Sequence, residues 1–308
     1  MRNCASRLKK RLILFMIEII KIKGCDSVGN IIKGQDVAQS LILNNYKKVS
    51  TEIKPRLAVI RVGNHPSEIS YERSVVNKLV PMGIECISYV YDQNIIQKDF
   101  DQAFDRINLD ESVHSILLLK PLPKHLSLEH VIQTIDPLKD VDCIGMINME
   151  KIYQEGPKGF LPCTAEAVLN IVSYEGIELK GKSIVMIGFG MVIGRPLTLL
   201  LLEAGSTVTV CNEYTKDLKA ESSRADVLIV ATGVIHLINE EHVKKDAVVI
   251  DVGINVNDKG RLVGDVDFEN VLEKAASVTP VPGGVGTVTT YVLATHVFQA
   301  YEQQNKLR

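Results

Sequence analysis

The chain has 308 residues, 46% of them hydrophobic, and a net charge of −2 from 35 basic and 37 acidic side chains. That length and apolar content bury a sizeable core in one or two domains. A balance so near neutrality gives no field to draw nucleic acid or a membrane surface, so a small-molecule ligand is expected. Six cysteines (4, 25, 86, 143, 163 and 211) and seven histidines show neither CxxC nor HExxH spacing. This argues for reduced thiols, a cytoplasmic-type compartment and no metal site.

Residues 1–28 form an extension of open status. Five cations precede the first acid, Glu18, and the apolar run between them is too short to span a bilayer. An organellar targeting peptide, a disordered extension and an upstream start are the alternatives. Residues 35–48 read as a helix. The runs 56–63, 84–92 and 115–123 read as strands with helical stretches between them. The rhythm resumes at 182–188, 206–211, 225–232 and 247–253, each a β-branched run suited to a parallel strand covered on both faces. The fold class expected is therefore α/β, with two α/β domains in succession and a cleft between them. They divide as 29–160 and 161–287, with a last helix over 288–308 returning to the first. The junction near 145–165 is polar and rich in Gly and Pro.

In "VMIGFGMVIGRP" a strand gives way to a glycine turn, Gly188, Phe189, Gly190 and Gly194, and then to a helix. Glycines let the backbone approach a pyrophosphate, and a helix N-terminus favours the anion. The GxGxxxG spacing is one residue longer than the dinucleotide fingerprint. The next strand ends in Asn212 and Glu213, followed by Thr215, where a carboxylate accepts hydrogen bonds from the adenosine ribose and repels a 2′-phosphate. No cation stands inside the turn, since Arg195 follows the third glycine. NAD rather than NADP is the expected coenzyme.

Six stretches in order, "PLKDVDC", "LPCT", "IGFGMVIGRP", "VVIDVGIN", "GDVDF" and "TPVPGGVG", resemble the methylenetetrahydrofolate dehydrogenase/cyclohydrolase family from about Ile31 to about Ala300. The resemblance implies an N-terminal folate-binding catalytic domain, a Rossmann-like nicotinamide-binding domain and a homodimer. It implies oxidation of 5,10-methylenetetrahydrofolate to the methenyl form, which many members hydrolyse to 10-formyltetrahydrofolate. By the same resemblance Tyr71 stacks on the folate, Asp142 grips the pterin, and Pro282, Gly283, Gly284, Val285 and Gly286 line the folate pocket. Ile254 then contacts the nicotinamide. Cys163 reads as a packing residue with no histidine nearby in sequence.

The chain departs from the family pattern at two positions. Bifunctional members carry a lysine four residues after the tyrosine and a glutamine before the PLP motif; here those places fall on Val75 and Leu119, the latter followed by Lys120. Hydride transfer needs close placement, whereas adding water to the methenyl carbon needs proton transfer, which an aliphatic side chain cannot supply. The expectation is thus an NAD-dependent methylenetetrahydrofolate dehydrogenase with little or no cyclohydrolase activity. Lys78, on nearly the same helical face as Val75, and Lys120, if turned inward against strand alternation, are two routes by which hydrolysis survives. A bifunctional NADP-dependent enzyme and a non-catalytic folate-binding paralogue are the competing readings.

Overall fold

The structure is a computed structural model and describes residues 29–45 and 54–307. The expectations for residues 1–28 lie outside the described residues. Among the described residues, no helix is long and apolar enough to cross a membrane.

The chain opens with a two-residue strand, β1 (Asn30–Ile31), and helix α1 (Gly34–Asn45). A three-stranded parallel sheet follows: β2 (Arg56–Val62), β3 (Glu85–Tyr91) and β4 (Ser115–Leu118), in the order β3-β2-β4. The central strand is buried along nearly its whole length, as its run of Leu57, Ala58, Val59 and Ile60 requires. Helix α2 (Pro66–Leu79) starts on a proline, whose missing N–H costs nothing at that position. Helix α3 (Gln97–Leu109) buries Phe100, Ala103, Phe104 and Ile107, an i, i+3, i+4, i+7 stripe, against the sheet. Helices α4 (Glu129–Thr134) and α5 (Met146–Tyr153) flank the turn that carries Asp142, and α6 (Cys163–Tyr174) leads into the second unit.

That unit is a six-stranded parallel sheet in the order β1-β11-β8-β7-β5-β6. It comprises β5 (Ser183–Ile187), α7 (Gly194–Glu203), β6 (Thr207–Cys211), α8 (Leu218–Ser222), β7 (Val227–Val230) and β8 (Val248–Asp251). A small antiparallel pair, β9 (Asn255–Val256) and β10 (Leu262–Val263), precedes α9 (Phe268–Leu272) and β11 (Ser277–Val278). Strand order reverses at β5, which lies between β6 and β7, so a crevice opens at its carboxyl end. The glycine turn sits there.

Two segments tie the units together. Strand β1 joins the second sheet as its edge, Asn30 paired with Ser277 and Ile31 with Val278. Helix α10 (Val285–Leu307) starts at the glycine loop and packs along α1 and α6, reaching β2 and β4. Its Val288, Val292, Val297 and Ala300 belong to a continuous apolar core shared by both sheets.

Candidate active site

Asp142 owes its position to a buried neighbour. Asp140 is fully buried, and its carboxylate accepts hydrogen bonds from the backbone N–H of Ile144 (2.8 Å) and Gly145 (2.9 Å) and from Asn148 Nδ2 (3.1 Å). Burial pushes the Asp140 carboxyl above its ordinary range. The turn so clamped pairs with β4 through the Ile116 N–H and the Lys139 carbonyl, at 2.8 Å. Cys143 adopts a left-handed φ of 54°, a conformation costing a non-glycine residue roughly 1–2 kcal/mol.

Beyond Leu118 the ladder continues for one bond only, from the Leu119 N–H to the Ile60 carbonyl (2.9 Å). Lys120 then leaves the sheet ahead of Pro121. Its Nζ stands 3.5 Å from Asp142 Oδ2, both side chains about three-quarters or more buried. Leu119 points the other way, into the core cluster that also holds Val75. The two apolar positions therefore pack in the interior, and the amine on this wall comes from the neighbouring residue.

Tyr71 lies on the exposed side of α2 at 37% exposure. Burial around its hydroxyl, then the charge of Asp142 and of Cys163, push its phenol well above the usual value. The phenol thus lies within electrostatic reach of the Asp142 carboxylate. Lys78, half-buried and lowered by that burial, is two helical turns further on, roughly 10 Å from Tyr71 along the axis.

The glycine turn closes by Gly188 N–H to Cys211 O (2.9 Å) and Arg195 N–H to Gly190 O (3.0 Å). Gly188 has φ 101°, and a Cβ there would strike the Ala231 carbonyl; a Cβ on Gly194 would strike that of Gly188. Gly190 faces open space. Such a backbone, free of side chains at three positions, suits a pyrophosphate. Arg195 folds back over the turn, donating from Nε to the Phe189 carbonyl (3.3 Å) with its guanidinium 5.2 Å from the centre of the Phe189 ring. After β6, Asn212 and Thr215 close on each other through two hydrogen bonds of 3.0 Å and leave Glu213 exposed to solvent.

The two units meet around a cavity of about 290 Å³. Lys120, Asp142, Cys143 and Ile144 line it from the first unit and Met191, Val192, Arg195 and Pro196 from the second. The Pro282–Gly286 loop is held by Gly34 N–H to Gly283 O (2.7 Å), and Ile254 Cδ1 lies 3.6 Å from the point a Cβ on Gly286 would occupy. Behind Ile254 two buried acids stitch the strand ends. Asp251 accepts from the N–H groups of Gly253, Asp265 and Val266, and Asp265 from Thr232, Gly233 and Asn255.

One constellation was invisible in the sequence. His296 on α10 lies 3.6 Å from Cys163 Sγ through Nδ1, which also faces the Val141 carbonyl at 2.8 Å, while Nε2 faces Glu166 Oε2 at 2.9 Å. Burial, then the negative charges of Asp142 and Glu166, push the Cys163 thiol up, which disfavours the thiolate that a nucleophile needs.

A doubly wound sheet with a glycine turn at its switch point, facing a second α/β unit that presents a carboxylate and an amine, defines a two-domain nicotinamide-dependent enzyme. Residues 162–305 match the NAD(P)-binding domain of tetrahydrofolate dehydrogenase/cyclohydrolase, and residues 32–142 match its catalytic domain. The bifunctional protein FolD of Clostridium botulinum is 42% identical over 282 residues, covering 90% of this chain and all of its own. The bifunctional FolD of Campylobacter jejuni superposes with a TM-score of 0.83 at 37% identity, covering 89% of this chain and 99% of its own. The Trypanosoma brucei enzyme, complexed with NADP and an inhibitor, gives 0.85 at 30% identity over 90% of this chain and 99% of its own. The chain belongs to the tetrahydrofolate dehydrogenase/cyclohydrolase family.

These relatives overturn the expectation of an NAD-dependent enzyme with little or no cyclohydrolase activity: they are bifunctional, and one holds NADP. The physical reasons lie in two cations. Arg195, read as outside the turn, lies across it, while Glu213 points into water, where its repulsion is screened. The missing helical lysine did not leave the cleft without an amine, since Lys120 lines it.

Proposed function

We propose that the chain is a bifunctional NADP-dependent methylenetetrahydrofolate dehydrogenase and methenyltetrahydrofolate cyclohydrolase. The observation that carries this reading is the shared cavity, walled on one side by Lys120 and Asp142 and on the other by Arg195 with Met191 and Val192, which stand between Gly190 and Gly194. The nicotinamide coenzyme supplies the hydride acceptor when bound. Tyr71 offers the folate an aromatic face, and Asp142 offers the pterin N–H donors a carboxylate. The Pro282–Gly286 loop brings backbone close to the same ligand, and Ile254 lies between that loop and the coenzyme side. The glycine turn and Arg195 receive the coenzyme phosphates. Holding the reacting carbon near the nicotinamide is the main task for hydride transfer, since a bound, oriented pair avoids most of the entropy of encounter. The assembly that goes with this reading is a homodimer.

The test supplies 5,10-methylenetetrahydrofolate with NADP or NAD and separates the folate products. Reduction of NADP with 10-formyltetrahydrofolate as the end product supports the reading; NAD-selective turnover that stops at the methenyl form refutes it.

A further inference from the structure

We propose that Lys120 is the proton-handling amine of methenyl ring opening in this chain, a task that a lysine at the place of Val75 performs in bifunctional members. The inference rests on the bifunctional reading above and assigns its hydrolytic step to one residue.

The cavity walls decide it by elimination. Val75 is fully buried and packs in the same cluster as Leu119, so that helical position presents nothing to the cleft. Lys78 stands two helical turns, roughly 10 Å, beyond Tyr71 along α2, whereas Lys120 lines the cavity beside Asp142. Arg195 lines it too, but a guanidinium does not release its proton in a protein. The Cys163 thiol is shut away from solvent. Among the described residues, Lys120 alone combines an amine, a place on the cavity wall and an ion-pair partner, Asp142 at 3.5 Å.

The step balances with water as the only co-reactant. Water adds its oxygen to the methenyl carbon while one of its protons passes to the free-amine form of Lys120. The resulting tetrahedral adduct breaks its bond from that carbon to N5, and N5 takes the proton back from the Lys120 ammonium. The adduct hydroxyl loses its remaining proton to solvent as the formyl C=O forms on N10. One water is consumed and one proton released, as conversion of a cationic ring to a neutral formyl group requires.

The experiment measures hydrolysis of preformed methenyltetrahydrofolate by the full chain and by Lys120→Met, Lys120→Arg and Lys78→Met, with NADP-linked dehydrogenation followed on the same samples. General acid–base groups typically contribute about 10²–10⁴-fold. The ratio of hydrolysis to dehydrogenation is expected to fall about 100-fold or more in both Lys120 variants. Lys120→Arg, which keeps the charge and the contact with Asp142, separates proton transfer from charge alone. In a third Lys120 variant, Lys120→Ala, methylamine is expected to restore hydrolysis in proportion to the free amine, a response that a packing role would not produce. Hydrolysis within threefold of wild type in Lys120→Arg, or its loss in Lys78→Met, overturns the assignment. If the wild-type chain hydrolyses the methenyl form no faster than buffer, the bifunctional reading itself fails and the assignment falls with it.

Discussion

His296 Nε2 lies 2.9 Å from Glu166 Oε2, joining α10 to α6 directly behind the turn that presents Asp142. The other ring nitrogen faces the carbonyl of Val141, the residue before that aspartate. Both nitrogens therefore meet acceptors, which only an imidazolium satisfies with two donors. Burial opposes the charge, but the hydrogen bond and charge of Glu166, with the Val141 carbonyl, outweigh it and raise the His296 pKa.

Because the folded value lies above the ordinary 6.5, the pair adds stability that is fully present below that pH and is lost as pH rises through the folded value. Glu166→Gln is expected to lower the His296 pKa and to cost roughly 1–2 kcal/mol at pH 6, less at pH 9. NMR titration of the ring and urea unfolding at the two pH values check this. A cost independent of pH would show that the ring is neutral.

Asp251 loses stability in the same direction of pH, but because its charged form is disfavoured rather than because it gains a partner. Burial raises its carboxyl from 3.8 to about 6, against the pull of its three backbone donors. The ionised form is thus a burden of ~3 kcal/mol carried above pH 6 and lifted as pH falls toward 3.8. Wild type is expected to gain up to that amount relative to Asp251→Asn between pH 7.5 and pH 4, read as the difference of two unfolding free energies. A constant difference would mean that Asp251 titrates normally.

The glycine turn distinguishes its members. A Cβ at position 194 meets the Gly188 carbonyl, whereas one at position 190 meets nothing. Gly194→Ala is expected to weaken NADP binding about 10-fold or more and to lower the melting temperature. Gly190→Ala should leave the melting temperature within a degree or two, since only the ligand, not the protein, approaches it. Calorimetric titration and thermal unfolding check both, and equal thermal losses would show that the turn is packed differently.

The proposed preference for NADP makes a prediction at Glu213, which is exposed, beside a turn over which Arg195 folds back. An exposed charge a few ångströms from a phosphate repels it weakly in water, so Glu213→Gln is expected to raise the NADP-to-NAD ratio of kcat/KM by no more than about fivefold. A change of fiftyfold would place that carboxylate in a dry, directly opposed position.

Much of this architecture is legible from residue pattern. The strands β2, β3, β5, β6, β7 and β8 stand within a residue or two of the expected runs, because parallel strands covered on both faces need uninterrupted β-branched stretches. The run 115–123 extends past the strand, which ends at Leu118; alternation does set Lys120 opposite Leu119, but residue pattern does not show that this opposite face is the cavity wall. Strand β1 has two residues and finds its partner 247 positions later, which no local pattern encodes. His296 reaches Cys163 across 133 positions for the same reason. Arg195 was visible but misplaced, because counting along the chain does not show a side chain folding back over the turn that precedes it.

The most direct measurement follows preformed methenyltetrahydrofolate in the presence of the full chain, without coenzyme. A rate at least about 100-fold above that of buffer, ending in the 10-formyl product, is the expected result. A rate equal to that of buffer would contradict it and leave the Lys120–Asp142 pair with a binding role alone.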